Sequence, residues 1–303
     1  MEIFHRIWVD VQRKPDFKTA IDRLHFPYKY SDDIVGKRVF FEISENHSLW
    51  PQIRELAERH DVFSPMDVRV KYSNADIASA EWLSMGATRH IGYPQPEDEY
   101  QHQVYDPNDY CDRCGIHPTQ AAPFRLKSAP TVRDSFRQLN WVFDEFFVTP
   151  QGRELFDSAG IDGVGYGPCA HHSSGRPLES LTQLLVLHVL PPGLVASELN
   201  TVTCRPDNEE GPAKAYGSRL RHPDDYPYCG RVKYQWPRLG QTTYASEVLR
   251  DAPDIVKSHE WFGSGGSASR EVLVSQKVCR LVIEHKLRGI SFVPVALTES
   301  KGG

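Results

Sequence analysis

The residues of this sequence best suited to chemistry are Cys111 and Cys114, in Asp109-Tyr110-Cys111-Asp112-Arg113-Cys114-Gly115. Two cysteines two residues apart, followed by glycine, can turn both sulfurs toward one point, the geometry of a metal knuckle. A structural zinc ion takes four ligands in a tetrahedron, so two more are required. The candidates are Cys204, in Thr201-Val202-Thr203-Cys204, and Cys229, in Tyr226-Pro227-Tyr228-Cys229-Gly230-Arg231. The second stretch ends in Cys-Gly like the first, with Tyr226 where a matching first cysteine would stand. The expected site is one structural zinc per chain, held by Cys111, Cys114, Cys204 and Cys229. Two other readings stay open: Cys204 and Cys229 as small apolar residues packed in a core, and His117, His171, His172 or His222 as substitute ligands. A redox pair at Cys111 and Cys114 is disfavoured. Gly115-Ile116-His117-Pro118 does not start the helix that lowers a thiol pKa in thioredoxin-like sites.

A second set of reactive types is Cys169 with His171 and His172, a nucleophile with nearby bases. It defines the alternative function, an enzyme. The loop Gly263-Ser264-Gly265-Gly266-Ser267 could cradle an anion, but it lacks the lysine and the strand-to-helix setting of a P-loop and reads as a linker. A third alternative is a zinc-ribbon binding module, for which Arg113, Arg125 and Lys127 supply only a thin basic flank.

Composition narrows these choices. A net charge of -5 with dispersed acids offers no basic stripe, so nucleic acid is not an expected partner. The 6 cysteines are too sparse for a disulfide scaffold in a chain of 303 residues, which favours metal over disulfide. No run approaches the ~18 apolar residues of a membrane helix. Met1-Glu2-Ile3-Phe4-His5-Arg6 lacks the basic start and apolar core of a signal peptide, and the expected location is the cytoplasm.

The elements that must position the site give a fold class of α/β (α+β). Residues 1–104 form an N-terminal domain with a strand-helix-strand unit. Lys37 to Ile43 and Met66 to Tyr72 read as strands. Trp50, Ile53, Leu56 and Ala57 recur at helical spacing between them, so the strands could lie parallel in one sheet. Asn74 to Leu83 is expected to be a short helix with Trp82 and Leu83 inward. Residues 105–303 form the zinc-knuckle domain, and they contain an internal repeat. Segments 147–169 and 273–295 align without a gap, matching Val148 with Val274, Thr149 with Ser275, Leu155 with Leu281, Gly163 with Gly289, Tyr166 with Phe292 and Pro168 with Pro294. In each, Thr149 or Ser275 can cap a helix of about ten residues, and a turn at Gly163 or Gly289 leads into a second strand. Cys169 aligns with Val295, so it and Cys279 are expected to be packed. Leu181 to Leu190 reads as a central strand, with His188 a satisfied core histidine.

This order of features resembles the double-CXXCG family of myxobacterial paralogues. The residues that carry the resemblance are Cys111, Cys114 and Gly115, then Val148 to Pro168, then Cys229-Gly230-Arg231-Val232, then Val274 to Val295. It covers roughly residues 105 to 297 and departs from the pattern at Tyr226. Some members of that family look like immunity proteins that protect a cell from a toxin made by its kin. The resemblance therefore implies a cytoplasmic, immunity-type protein that binds and neutralises a cognate protein toxin and has no catalytic residues. Tyr93, Tyr100 and Tyr105, if exposed, would suit such an interface.

Overall fold

The computed structural model describes the chain except residues 34–35, 63–67, 129–133, 198, 207–226, 238 and 299–303. The fold is mixed α+β, and among the described residues no helix is long and apolar enough to cross a membrane. The chain divides into two compact units, Met1–Asp76 with Pro237–Gln241, and Ile77–Trp236 with Thr242–Gly303.

The first unit runs β1 (Glu2–Asp10), α1 (Pro15–Arg23), β2 (Lys29–Asp33), β3 (Gly36–Ser44), α2 (Trp50–Arg59) and β4 (Val68–Lys71). Period-two alternation turns Ile7 and Val9 of β1, and Val39, Phe41 and Ile43 of β3, to one face. There they meet Phe17 and Ile21 of α1 and Trp50, Ile53, Leu56 and Ala57 of α2 in one core. Each helix opens with proline in its first turn, where the missing N–H costs nothing. The sheet order is β2-β3-β1-β4, and all neighbours are antiparallel. β3 and β4 are therefore parallel, as the helical connection implied, with β1 between them. This interlocking of two split β-α-β units is the ferredoxin-like arrangement.

The chain enters the second unit through α3 (Asn74–Ser79), followed by β5 (Trp82–Ala87), α4 (Tyr100–Val104), β6 (Arg125–Leu126), β7 (Phe136–Arg137), β8 (Phe146–Val148), α5 (Pro150–Ser158), β9 (Val164–His171) and β10 (Pro177–Val186). It continues with β11 (Thr201–Thr203), β12 (Val232–Tyr234), β13 (Thr243–Ala245), α6 (Ser246–Leu249), β14 (Ile255–Phe262), β15 (Ser269–Ser275), α7 (Gln276–Glu284), β16 (Ile290–Pro294) and β17 (Ala296–Thr298). The sheets are β6-β9-β10-β8-β7, β11-β12-β14-β15-β5-β16 and the small pair β13-β17.

Two expectations change here. The expected helix ends at Ser79, and Trp82 and Leu83, though buried, lie in strand β5. The division falls at Asp76 instead of 104, because β5 sits between β15 and β16 in the second unit's sheet.

The repeat is visible in three dimensions. β8-α5-β9 straddles β10, and β15-α7-β16 straddles β5. Thr182 of β10 pairs with both Val148 and Pro168, and Leu83 of β5 pairs with both Val274 and Pro294. Those are the residues that the sequence alignment equates. Phe146, Val148, Phe156 and Leu184 of one copy share a core with their counterparts Val272, Val274, Val282 and Met85 of the other.

The linkage is reciprocal. Phe136, beside β8, donates its N–H to Arg288 O of the second copy's turn at 2.9 Å, and Ile255, beside β15, donates to Asp162 O of the first copy's turn at 3.2 Å. The middle strand follows the unit in the first copy and precedes it in the second, so the copies differ by a circular shift. Thr149 caps α5 by accepting from Gly152 N–H at 3.2 Å. Ser275 does not cap α7, because its hydroxyl donates to Asp254 Oδ1 at 2.6 Å. β10 is central as expected. It stops at Val186, which leaves His188 exposed instead of in the core.

Candidate metal centre

All four predicted cysteines converge. The sulfurs of Cys111, Cys114, Cys204 and Cys229 lie within 4.8 Å of one another. Cys111 Sγ is 3.9 Å from Cys204 Sγ, and Cys114 Sγ is 3.5 Å from Cys229 Sγ. A disulfide would need ~2.05 Å. Four sulfurs each ~2.3 Å from a central ion in a tetrahedron stand ~3.8 Å apart. The spacing fits a metal cage and not two cystines. Cys111, Cys114 and Cys204 are buried and Cys229 is exposed.

Local backbone chemistry makes the cage. Gly115 and Gly230 each follow a cysteine of the cluster, with left-handed φ of +74° and +71°, conformations that glycine adopts without strain. Gly115 has a second constraint: a Cβ there would collide with Gly266 O. The first knuckle is closed by Gly115 N–H donating to Cys111 O at 2.7 Å and Cys111 N–H donating to Ile116 O at 3.0 Å. The second hairpin is closed by Cys204 N–H donating to Arg231 O at 2.9 Å and Gly230 N–H donating to Cys204 O at 3.0 Å. The pairing of β11 with β12 brings Cys204 and Cys229 together across the intervening segment.

The two halves grip each other through arginines. Arg113 lays its guanidinium 3.9 Å from the Tyr228 ring centroid. Arg231 donates to Asp109 O at 2.7 Å and to Asp109 Oδ1 at 3.2 Å.

The thiols act on one another at these distances. Hydrogen bonds from the Cys114 and Cys229 thiols hold Cys111 well below the usual thiol range. The hydrogen bonds to Cys111 and Cys229, then burial, push Cys114 up, and burial pushes Cys204 up to about 11. A metal bound by the four sulfurs would displace their protons. Lys233, fully buried, donates to Cys114 O at 2.9 Å, Gly265 O at 2.6 Å and Ser267 O at 3.0 Å. Burial lowers its pKa, while the surrounding cysteines oppose that.

The glycine-rich turn therefore presents carbonyls to a cation, the opposite polarity from an anion cradle. No pattern in Val232-Lys233-Tyr234 separates this lysine from a surface one, and sequence reasoning missed it.

Among the described residues, no histidine joins the cluster. His117 Nδ1 donates to Gly115 O at 2.6 Å, and its Nε2 faces Asp144 Oδ1 at 3.7 Å. His171 engages the Ser173 hydroxyl at 3.1 Å. His222 and Tyr226 fall outside the described residues. Cys169 is buried, as is Cys279, and its thiol donates to Phe124 O at 3.5 Å. Burial pushes the Cys169 thiol up to about 12, the wrong direction for a nucleophile.

Tyr93 is exposed, but Tyr100 and Tyr105 are buried, because α4 turns them into a core with Phe124 and Phe147. Beside the centre, a cavity of about 180 Å³ is lined by Tyr105, His117, Asp144, Glu145, Lys257 and Arg270. Lys257 bridges Asp144 at 3.4 Å and Glu145. These charges had no motif to announce them.

No family model and no curated protein matches this chain. What the structure establishes is a mixed α+β protein with a four-cysteine cluster that can hold a metal ion.

Proposed function

We propose that the protein is a zinc-stabilised, immunity-type binding protein of the double-CXXCG kind, which recognises a protein toxin and blocks it in the cytoplasm. The observation that carries the zinc part is the closed cage of four sulfurs. Four thiolates fill a tetrahedral site and leave no position for a water or a substrate, so such an ion holds structure and does no catalysis. Tetrahedral sulfur ligation suits zinc or iron, and zinc is the redox-silent choice for a structural role. The ion would clamp the knuckle at Cys111 to strands β11 and β12, whose connecting sequence is rich in glycine, proline and charge. Zinc binding contributes roughly 10–16 kcal/mol in small finger peptides, ample for that task.

The toxin part is supported by the resemblance read from the sequence. It agrees with a scaffold in which the reactive candidate Cys169 is buried and held by a carbonyl. The test has two arms. Elemental analysis of the purified protein should give about one zinc per chain. Co-expression with the product of an adjacent gene should relieve that product's toxicity and yield a complex. A metal-free protein with freely reactive Cys111 and Cys114 defeats the first arm; an adjacent product that is neither toxic nor bound defeats the second.

A further inference from the structure

The cavity beside the cysteine cluster lies wholly within the second unit. Leu185, Val186, Val189 and Trp261 give it an apolar side. Val189 is 49% exposed, so the cavity reaches solvent there. The rest of the wall carries charge, and much of that charge is satisfied within the fold. Glu145 takes Gln183 Nε2 at 2.9 Å and the Lys257 ammonium, and the same ammonium reaches Asp144 Oδ2 at 3.4 Å.

Two charged groups keep open positions. Asp144 is 1% exposed, yet its Oδ1 has no hydrogen-bond partner among the described residues. His117 Nε2 stands 3.7 Å away, beyond hydrogen-bond reach, and is likewise unpartnered. The second group is Arg270. Its guanidinium lies 4.7 Å from the Trp261 ring centroid and donates from Nη1 to Ser258 O at 3.2 Å, while Nε and Nη2 make no hydrogen bond among the described residues. The two groups are tied together, because the Arg270 backbone N–H donates to Asp144 Oδ2 at 3.2 Å. The buried Tyr105 hydroxyl, also in the wall, makes no hydrogen bond among the described residues.

A buried carboxylate oxygen without a donor is costly and calls for something in the cavity that supplies one. A water would meet that need alone and leave the guanidinium and the apolar side unused. An occupant that answers all three must donate to an anion, accept from a cation and present an apolar surface. Apart from His117, the lining balances Asp144 and Glu145 against Lys257 and Arg270, so it suits an occupant without net charge.

We infer that the cavity binds a free α-amino acid with an apolar side chain. Its ammonium donates to Asp144 Oδ1, its carboxylate takes the open nitrogens of Arg270, and its side chain lies against Leu185, Val186 and Val189. An α-amino acid carries both charges on one carbon, as the linked pair of groups requires. The planar guanidinium matches a carboxylate in geometry, and a few placed polar groups in an apolar wall are the usual make-up of a small-ligand site. The volume of about 180 Å³ suits one small molecule. The inference is independent of the metal and of the toxin reading.

The test is isothermal titration calorimetry of the full chain with L-valine, L-leucine, L-methionine and L-phenylalanine, each up to about 10 mM. The expected result is saturable binding of at least one. The matching amine without the carboxylate and the matching acid without the amino group, for leucine 3-methylbutylamine and 4-methylpentanoate, should bind about tenfold more weakly or worse. Arg270→Lys should lower the affinity about tenfold by removing the fork. Tyr105→Phe should lower it about fivefold and leave the denaturation midpoint unchanged, since that hydroxyl bonds nothing in the fold. This second variant reports on the site even if Arg270→Lys folds poorly. No binding of any of the amino acids overturns the inference and assigns the cavity to water. Amines or acids that bind as tightly as the amino acid overturn it too, as does an affinity that both variants leave unchanged.

Discussion

The Lys233 ammonium lies 2.9 Å from the carbonyl oxygen of Cys114, so a buried cation is tied to the backbone of the four-cysteine cluster. The same nitrogen reaches Gly265 O and Ser267 O, fixing the knuckle against the β14–β15 turn. Replacing it with an apolar residue of similar length leaves three carbonyls facing a methyl group. Lys233→Met should destabilise the protein by about 3 kcal/mol, read as a lower urea midpoint, and should lower metal retention during a chelator challenge. A variant with unchanged midpoint and retention would show that water replaces the ammonium at no cost.

The four sulfurs should act as one unit. Cys111→Ser, Cys114→Ser, Cys204→Ser or Cys229→Ser should each abolish tight metal retention, the exposed Cys229 included. Cys169→Ala and Cys279→Ala should leave the metal content untouched, since both side chains sit in apolar cores. Elemental analysis after gel filtration decides it. A Cys229→Ser protein with full metal content would reduce the centre to three cysteines.

Gly163 and Gly289 occupy equivalent turns and make equivalent approaches. With φ of +86° and +104°, a Cβ on Gly163 would fall on Ile255 O and one on Gly289 would fall on Phe136 O. Gly163→Ala and Gly289→Ala should therefore each cost more than ~2 kcal/mol, combining left-handed strain with a backbone clash. Gly160, at φ of +59° with open space around it, is the control: Gly160→Ala meets only the strain of roughly 1–2 kcal/mol. Equal denaturation midpoints for all three variants would contradict the reciprocal packing of the two copies.

The same pair of glycines shows what the sequence could reveal. The alignment of Val148 with Val274 and of Pro168 with Pro294 was legible because both units keep the same local order of strand, cap, helix and turn. The strand that each unit straddles was not legible as a repeat. β10 follows its unit and β5 precedes its own, and a gapless comparison cannot pair segments whose order in the chain is shifted. Trp82 and Leu83 were read as the end of a helix because β5 takes its conformation from pairing with distant Val274 and Pro294, not from local periodicity. At the metal centre, Cys111, Cys114, Cys204 and Cys229 were identifiable from residue type and from the echo of Cys-Gly. Lys233 and the Asp144–Lys257 pair were not, since a buried charge carries no mark in sequence until its partners are placed.

That pair makes the protein sensitive to acid. Burial alone would raise the Asp144 carboxyl, but Lys257 first, then His117 and the Arg270 backbone N–H, more than offset it and hold the group well below the usual carboxylate range. A carboxyl depressed in the folded state contributes stability that is fully present above its unfolded value, ~3.9 for aspartate, and lost as pH falls toward the folded value. Asp144→Asn removes that contribution and leaves buried Lys257 with Glu145 as its one remaining carboxylate in the pair described here. At neutral pH the variant should be less stable by about 3–5 kcal/mol, and its loss of stability below about pH 4 should be shallower than that of the unmodified protein. Urea midpoints measured from about pH 7 down to about pH 3 give both quantities. A metal held by the four cysteines would be released in acid from both proteins alike, so the difference between the curves isolates Asp144. Parallel curves would mean that Asp144 keeps no charge of its own in the folded protein, and the bridge to Lys257 would then rest on Glu145.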